Sequence, residues 1–487
     1  MTTKADITGV HPKIDKLLEI ESRYPVERWK INDVHIWPIL RTRLYIEMAV
    51  EDLQVKFDKN TIATTKSEEQ QKPFSRIAHI SQRLKNSFRA SMLELGSMKK
   101  SDALFVTPSS YNDQFQGTWY HKFFDPIRLG NEGYKNSYIL EIGKSPSGQI
   151  KNSLHLDRFS AALDHFDQKH RKQILIMSLE GYEEFCRELS EVTSVINRFP
   201  RRAMAEAYYS IKKYEDLFRI LLRKTGAKKT YGICYYIDSY ALMGMNLAAL
   251  REGVESIDVQ HGGQGPVHLA YSKYNRLPDS GIYEVMPQTF WCWDEASKDE
   301  ISRWSAKSGS RHKAMVGGQP WLNFVQSKLS TEKNKETIVL VTLQPHGELI
   351  PDILLKTIPT VDAKVKWIMR LHPRTQSRRN ELEGILATYH LNDRIHPDTW
   401  NQPSLPESIA KSSLHISRTS GSVIEASFMD VQNIILDPVG ADLYKELIAA
   451  GKAYDASDAD QETLSALIHK LLGLHVHQED SVNNLIS

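Results

Sequence analysis

From residue 102 onward the chain alternates short apolar runs with segments of helical periodicity. DALFVT (102–107) and SYILEIG (137–143) are runs of the first kind. Between 160 and 227 apolar positions recur three or four apart among i,i+4 charge pairs, which predicts helices. KTYGICYY (229–236), ESIDVQHGG (255–263), TFWCWDE (289–295) and HKAMVGG (312–318) follow, most of them closing in polar residues or glycine. A second set starts near 336: ETIVLVTLQP (336–345), AKVKWIMRLHP (363–373), LHISRTSGSVIEASFMD (414–430) and QNIILDP (432–438). Helical stretches PDILLKTI and SRRNELEGILATYH separate the first three. Strands alternating with helices imply βαβ units and parallel sheets. The expected fold is therefore α/β, with two doubly wound Rossmann-like domains facing across a cleft. In such sheets ligands bind outside the carboxyl ends of the strands.

The first hundred residues read differently. IDKLLEIESRY (14–24) is amphipathic, and VHIWPILRTRLYIEMAV (34–50) is a tight apolar block whose Pro38 suits the first turn of a helix. Residues 56–71 read as a loop. In 72–100, seven basic residues (Lys72, Arg76, Arg83, Lys85, Arg89, Lys99, Lys100) stand against Glu94, with Ile77, Ile80, Leu84 and Phe88 at helical spacing. A basic amphipathic helix can lie on an anionic membrane surface, or pack on its own protein with the basic side chains exposed. The expected division is 1–100 as a helical extension, 101–330 as a first Rossmann-like domain and 331–487 as a second.

Composition narrows the function. A chain of 487 residues exceeds one ordinary core, and its 41% hydrophobic and 25% charged residues are those of a globular protein. A formal net charge of +2 argues against a nucleic-acid partner, so any phosphate chemistry needs local clusters. Cys186, Cys234 and Cys292 lie far apart without CxxC spacing, against a disulfide framework or sulfur-ligated zinc. The N-terminus lacks the apolar core of a signal peptide, and no apolar run reaches the roughly 20 residues that span a bilayer. The expected location is the cytoplasm, with peripheral contact on the inner membrane through 72–100 as a further option. Signatures of P-loop enzymes, nicotinamide dehydrogenases, zinc proteases and serine hydrolases are missing. No metal site is indicated.

The unusual residues sit at the predicted strand ends. RLHPR puts His372 and the rigid Pro373 between Arg370 and Arg374, groups that can bind phosphate oxygens; an ordinary loop exit is the alternative. SRTSGSVIEAS (417–427) surrounds Gly421 with Ser417, Thr419, Ser420 and Ser422 at a helix start, where N–H groups and hydroxyls can hold a phosphate. Capping by Ser420 or Ser422, with Glu425 closing a box on Ser422, uses the same groups. Glu425 can also take ribose hydroxyls. VQHGGQGP (259–266) places Gln260, His261, Gly262 and Gly263 at a turn of the first domain. LQPHGELIP (343–351) carries Gln344, His346 and Glu348, and a carboxylate there can act as base or nucleophile. Asp238 and Asp258 are reserve acid/base candidates.

This order of motifs resembles bacterial surface-polysaccharide glycosyltransferases of GT-B fold with HP and S motifs, closest to the CMP-sugar-dependent Kdo and sialyl transferases of capsule and lipopolysaccharide assembly. CDP-glycerol-type polymerases of wall teichoic acid are similar at the same level. The resemblance spans roughly 230–440. It implies that His372, in the HP motif with Pro373, contacts the donor phosphate and that Ser420 and Ser422 form the serine motif; Arg370, Arg374, Gln344 and Gly421 are further candidates for holding the nucleotide. Glu425 would lie near the ribose, and Gln260, Gly262 and Gly263 would line the acceptor side. In retaining Kdo transferases a loop acid follows the first strand of the C-terminal domain; Glu348 holds that place, with glutamate where the family has aspartate. The implied reaction moves a sugar from a CMP-linked donor to an oligosaccharide or lipid-linked saccharide, with no cofactor beyond the nucleotide sugar. A UDP-sugar or CDP-polyol donor, a sugar-nucleotide epimerase, and a non-catalytic scaffold of polysaccharide assembly are the alternatives.

Overall fold

The computed structural model describes residues 10–57, 88–108, 111–142, 150–236, 240–262, 264, 268–307, 309–329, 336–344, 348–398 and 403–474. Asp238, Gly263, His346 and residues 72–87 lie outside them. The side chains of Pro373 and Arg374 are also not described. The chain forms two compact units: 1–112 with 121–320, and 113–120 with 321–487.

The first unit is built on seven strands: β1 (Ala103–Pro108), β2 (Tyr138–Ile142), β3 (Ser153–His155), β4 (Lys229–Gly232), β5 (Glu255–Val259), β6 (Thr289–Cys292) and β7 (Lys313–Val316). Their order is β3-β2-β1-β4-β5-β6-β7, and every neighbouring pair is parallel. Ala103 through Val106 are fully buried. A strand covered on both faces reads as an unbroken apolar run, which is why β1 is visible in the sequence. Helices Arg201–Thr225 and Ala241–Arg251 pack together on the sheet. At Gly244 a Cβ would stand 2.5 Å from Tyr214 Cβ and 2.8 Å from the Ile211 carbonyl, so only glycine permits this approach.

The N-terminal helices Val10–Glu21 and Trp37–Phe57 share that core. Trp29 and Trp37 are fully buried and meet edge to face at 5.7 Å. Arg41, also fully buried, donates to Glu21 and to the carbonyls of Leu269, Ser272 and Lys273. Its guanidinium thereby ties the second helix to the loop at 269–273, and burial without these acceptors would be costly. Pro38 does occupy the first turn of its helix.

The second unit holds six strands: β8 (Ile338–Thr342), β9 (Lys366–Arg370), β10 (Ile395–Asp398), β11 (Leu414–Ser417), β12 (Gln432–Ile435) and β13 (Ala453–Asp455). Their order is β10-β9-β8-β11-β12-β13, again wholly parallel. Pro397 sits in β10, at the edge, where a missing N–H is tolerated. A hairpin leaves the first unit's sequence between β1 and β2 and belongs here: Phe115 and Tyr120 pack against Trp321 and Phe324 of helix Pro320–Lys328. The expected fold class, two doubly wound Rossmann-like α/β domains, is the one the chain adopts. Among the described residues no helix is long and apolar enough to cross a membrane.

Candidate functional site

Each sheet reverses its strand order once, between β1 and β4 in the first unit and between β8 and β11 in the second. The C-terminal edge of such a reversal is where doubly wound sheets bind ligands.

In the second unit β8 ends at Thr342-Leu343-Gln344, and β11 at Ser417-Arg418-Thr419-Ser420-Gly421. A shallow depression there is lined by Val341, Leu343, Gln344, Leu349, Ser417 and Arg418. Gln344 takes a 3.4 Å hydrogen bond from Thr419 Oγ1 on its amide oxygen, while its buried Nε2 has no partner among the described residues. A buried donor left unmet costs about 1–3 kcal/mol. Gly421 has nothing within 4 Å of where a Cβ would stand, at an ordinary φ of −56°. No turn geometry requires glycine there, and the space above it is open.

His372 follows β9 on the other side of β8. Adjacent strands are about 4.8 Å apart, so β9 and β11 flank Gln344 at a separation of roughly 10 Å. The His372 carbonyl accepts from Thr375 N, Thr375 Oγ1 and Gln376 Nε2, which fixes the backbone at the HP step. On the opposite side Tyr444 Oη donates to the carbonyls of Thr419 (3.3 Å) and Ser420 (2.8 Å) and anchors the serine turn.

Two of the expected phosphate ligands are engaged elsewhere. Arg370 is 5% exposed, and its Nη1 donates to Asp398 (2.7 Å), the Pro403 carbonyl and Ser408. This guanidinium braces β9 to β10 instead of reaching the strand-end opening. Ser422 is 3% exposed and lies 2.8 Å from Thr342 Oγ1. That contact joins a buried chain. Asn433 Nδ2 donates to Ser427 Oγ and to the carbonyls of Val431 and Lys452, so its oxygen faces His415. His415 Nδ1, at 2.7 Å, must therefore carry the proton. Burial lowers the pKa of this ring to about 4, so Nε2 is a lone pair and accepts from Thr342 at 2.9 Å. The Thr342 hydroxyl has one proton, which His415 Nε2 and Ser417 Oγ both face. Ser417 Oγ accepts from Thr342 Oγ1 at 2.9 Å and donates to the Thr342 carbonyl at 3.4 Å. Ser422 thus holds the turn on the sheet through this buried contact.

Ser420 Oγ accepts the Ser422 N–H at 3.3 Å, a local cap. The box between Ser422 and Glu425 does not form: Gly421 is the cap residue of helix Ser422–Phe428, and Glu425 sits half-buried in its first turn. Glu348 is exposed in the loop after β8.

In the first unit the strand ends of β4 and β5 bring Cys234, Asp258 and His261 together. Cys234 Sγ stands 2.8 Å from His261 Nε2, and Tyr111 Oη 3.5 Å from the same sulfur. Burial holds the imidazole neutral, with its pKa pushed down to about 4, and raises the thiol. His261 Nδ1 has no partner among the described residues. Asp258 is 2% exposed and accepts from the Tyr235 N–H (3.1 Å) and the Tyr271 hydroxyl (2.9 Å). These donors favour the carboxylate, yet burial outweighs them and lifts its pKa to about 7. Gln260 is consumed internally: Oε1 accepts the Trp293 N–H, and Nε2 donates to the Gly262 carbonyl and to Ser297. It shapes the turn, and its amide is not left over for a ligand.

Sequence reasoning found His261 and Asp258 but missed Cys234, Tyr111, Thr342 and His415. The one available signal was position: Cys234 lies near the end of the apolar run 229–236, and Thr342 near the end of 336–345.

No family model and no curated protein matches the chain. Among solved structures, a UDP-GlcNAc 2-epimerase from Neisseria meningitidis bound to UDP-GlcNAc is similar with a TM-score of 0.44 and 15% identity, covering 77% of this chain and 92% of that one. The UDP-GlcNAc 2-epimerase from Methanocaldococcus jannaschii gives 0.41 and 13%, covering 80% and 95%. The spinosyn rhamnosyltransferase SpnG gives 0.39 and 12%, covering 77% and 92%. Likenesses this distant carry no argument about reaction or substrate.

Proposed function

We propose that this chain is a metal-independent glycosyltransferase that moves a Kdo- or sialic-acid-like sugar from a CMP-activated donor to a saccharide acceptor in bacterial capsule or lipopolysaccharide synthesis. The donor phosphate is held at the β8/β11 reversal by His372 from one side and Ser420 from the other, with the Gln344 amide between them. The departing CMP carries its charge as a monophosphate, and fixed neutral donors stabilise such a charge without a metal. The observation that carries the reading is the buried, unmet Gln344 Nε2 beside an open Gly421 at that reversal. Arg374 and Pro373 complete the HP loop, and Glu425 meets the ribose. Glu348, His261, Asp238 or Asp258 handles the acceptor proton. The basic segment 72–100 brings the enzyme to the inner membrane surface.

Incubation with CMP-, UDP- and CDP-linked sugars and polyols tests this. Release of CMP in the presence of an oligosaccharide acceptor is expected. Release from a UDP-sugar or CDP-polyol alone would move the donor to the second reading, and release from none would leave the scaffold reading.

A further inference from the structure

Two arginines stand at strand ends of the second unit, and their guanidinium groups are used differently. Arg370, at the end of β9, is closed in by Asp398, the Pro403 carbonyl and Ser408. Arg418, the residue after β11, is left partly open. Its Nε and Nη2 both donate to Asp437 Oδ2, at 3.1 and 2.7 Å, and its side chain is 31% exposed. A guanidinium is a rigid planar fork of N–H donors. With its Nε–Nη2 edge turned to the carboxylate, Nη1 faces away from Asp437 and has no partner among the described residues.

This orientation is built from both ends of the residue. Asp437 is itself fixed, because its Oδ1 accepts the Val439 N–H and caps helix Pro438–Leu443. The same helix lies against the Arg418 backbone: a Cβ at Gly440 would stand 2.0 Å from the Arg418 carbonyl oxygen, so glycine is required for the approach. Arg418 also lines the depression at the β8/β11 reversal, beside Gln344 and Ser417. The remaining wall there is largely apolar, with Leu343, Leu349 and Leu354, and offers the guanidinium no acceptor.

We propose that Arg418 is the cation of this site, held by Asp437 so that Nη1 donates to a phosphoryl oxygen of the bound nucleotide. Arginine suits that task because its charged N–H groups are fixed in direction and bind phosphate strongly. The proposal rests on the reading that the β8/β11 reversal holds the donor nucleotide. It moves the positive charge of that site from Arg370 to a residue the motif comparison did not single out.

NMR titration of the full-length protein with CMP, UDP, cytidine and uridine tests this. Arg418→Gln is expected to weaken binding of the phosphorylated ligand about 10–100-fold, the value of a charge-assisted hydrogen bond, and to leave the matching nucleoside unchanged. Arg418→Met keeps the apolar stem of the side chain and should show the same split; it decides if the glutamine variant folds poorly. An arginine that merely braces β11 would weaken nucleotide and nucleoside alike, or neither. Either pattern overturns the proposal, as does a wild-type protein that binds neither CMP nor UDP. If UDP shows the split and CMP does not bind, Arg418 keeps its role and the CMP-donor reading falls.

Discussion

Alanine at His372 is expected to lower turnover of the CMP-sugar donor by roughly 10²–10³-fold while the protein stays folded. The argument is one of position. His372 follows β9, where Met369 and the next residue but one, Leu371, belong to the second unit's core, but the imidazole itself is only half-buried. Its carbonyl, not its ring, accepts the bonds from Thr375 and Gln376 that shape the loop. Removing the ring keeps these carbonyl bonds and takes away a donor to the leaving phosphate. CMP release under saturating donor, alongside a thermal unfolding midpoint, checks both halves. Wild-type turnover in a folded His372→Ala protein would remove this residue from the site.

Asp258 should make the protein less stable as pH rises, by about 4 kcal/mol in total. Its folded-state pKa of about 7 lies above the ordinary carboxylate value of 3.8, so folding favours the protonated form. The contribution is fully present below about pH 4, falls by about 1.4 kcal/mol per pH unit above that, and is lost once pH passes 7. Tyr271 and the Tyr235 N–H pull the other way by stabilising the carboxylate, and full burial overcomes them. Denaturant unfolding of the wild type and of Asp258→Asn across this range is the measurement. Asparagine will lower stability by mispairing with one of the two donors, but its profile should lack the slope. Equal slopes in the two proteins would show that Asp258 titrates as an ordinary surface acid.

The sequence revealed the parts of the fold that are buried on both faces. The strands around residues 104, 140, 231, 257, 290, 340, 368, 416 and 434 all appear as apolar runs because helices cover both sides of each sheet. In the two large sheets, the strands it did not reveal are edge strands. Ser153–His155 is half-exposed throughout, Ile395–Asp398 buries only Ile395, and Ala453–Asp455 buries only Ala453. Half-covered strands three or four residues long carry too few apolar positions to stand out. The hairpin at 112–121 was hidden for another reason: it packs within the other unit, and no local pattern records a long-range destination. At the site, His372, Ser420 and His261 were legible as odd residues at strand ends. The spent side chains were not. Arg370, Gln260 and Ser422 look like ligands in one dimension, and only Asp398, Trp293 and Thr342 in three dimensions show where their bonding capacity goes. Both first strands, ALFVTP and IVLVT, place a threonine at the reversal, and each hydroxyl meets a buried neutral histidine: Thr107 with His121, Thr342 with His415. The two sequences are too short and too apolar to announce that correspondence.

The most direct test of the second unit's site is a crystal structure of the protein soaked with CMP. The phosphate should lie between β9 and β11, with oxygens about 3 Å from the His372 ring, Ser420 Oγ and Gln344 Nε2. A phosphate bound away from the β8/β11 reversal, with the Gln344 amide still unmet, would contradict it.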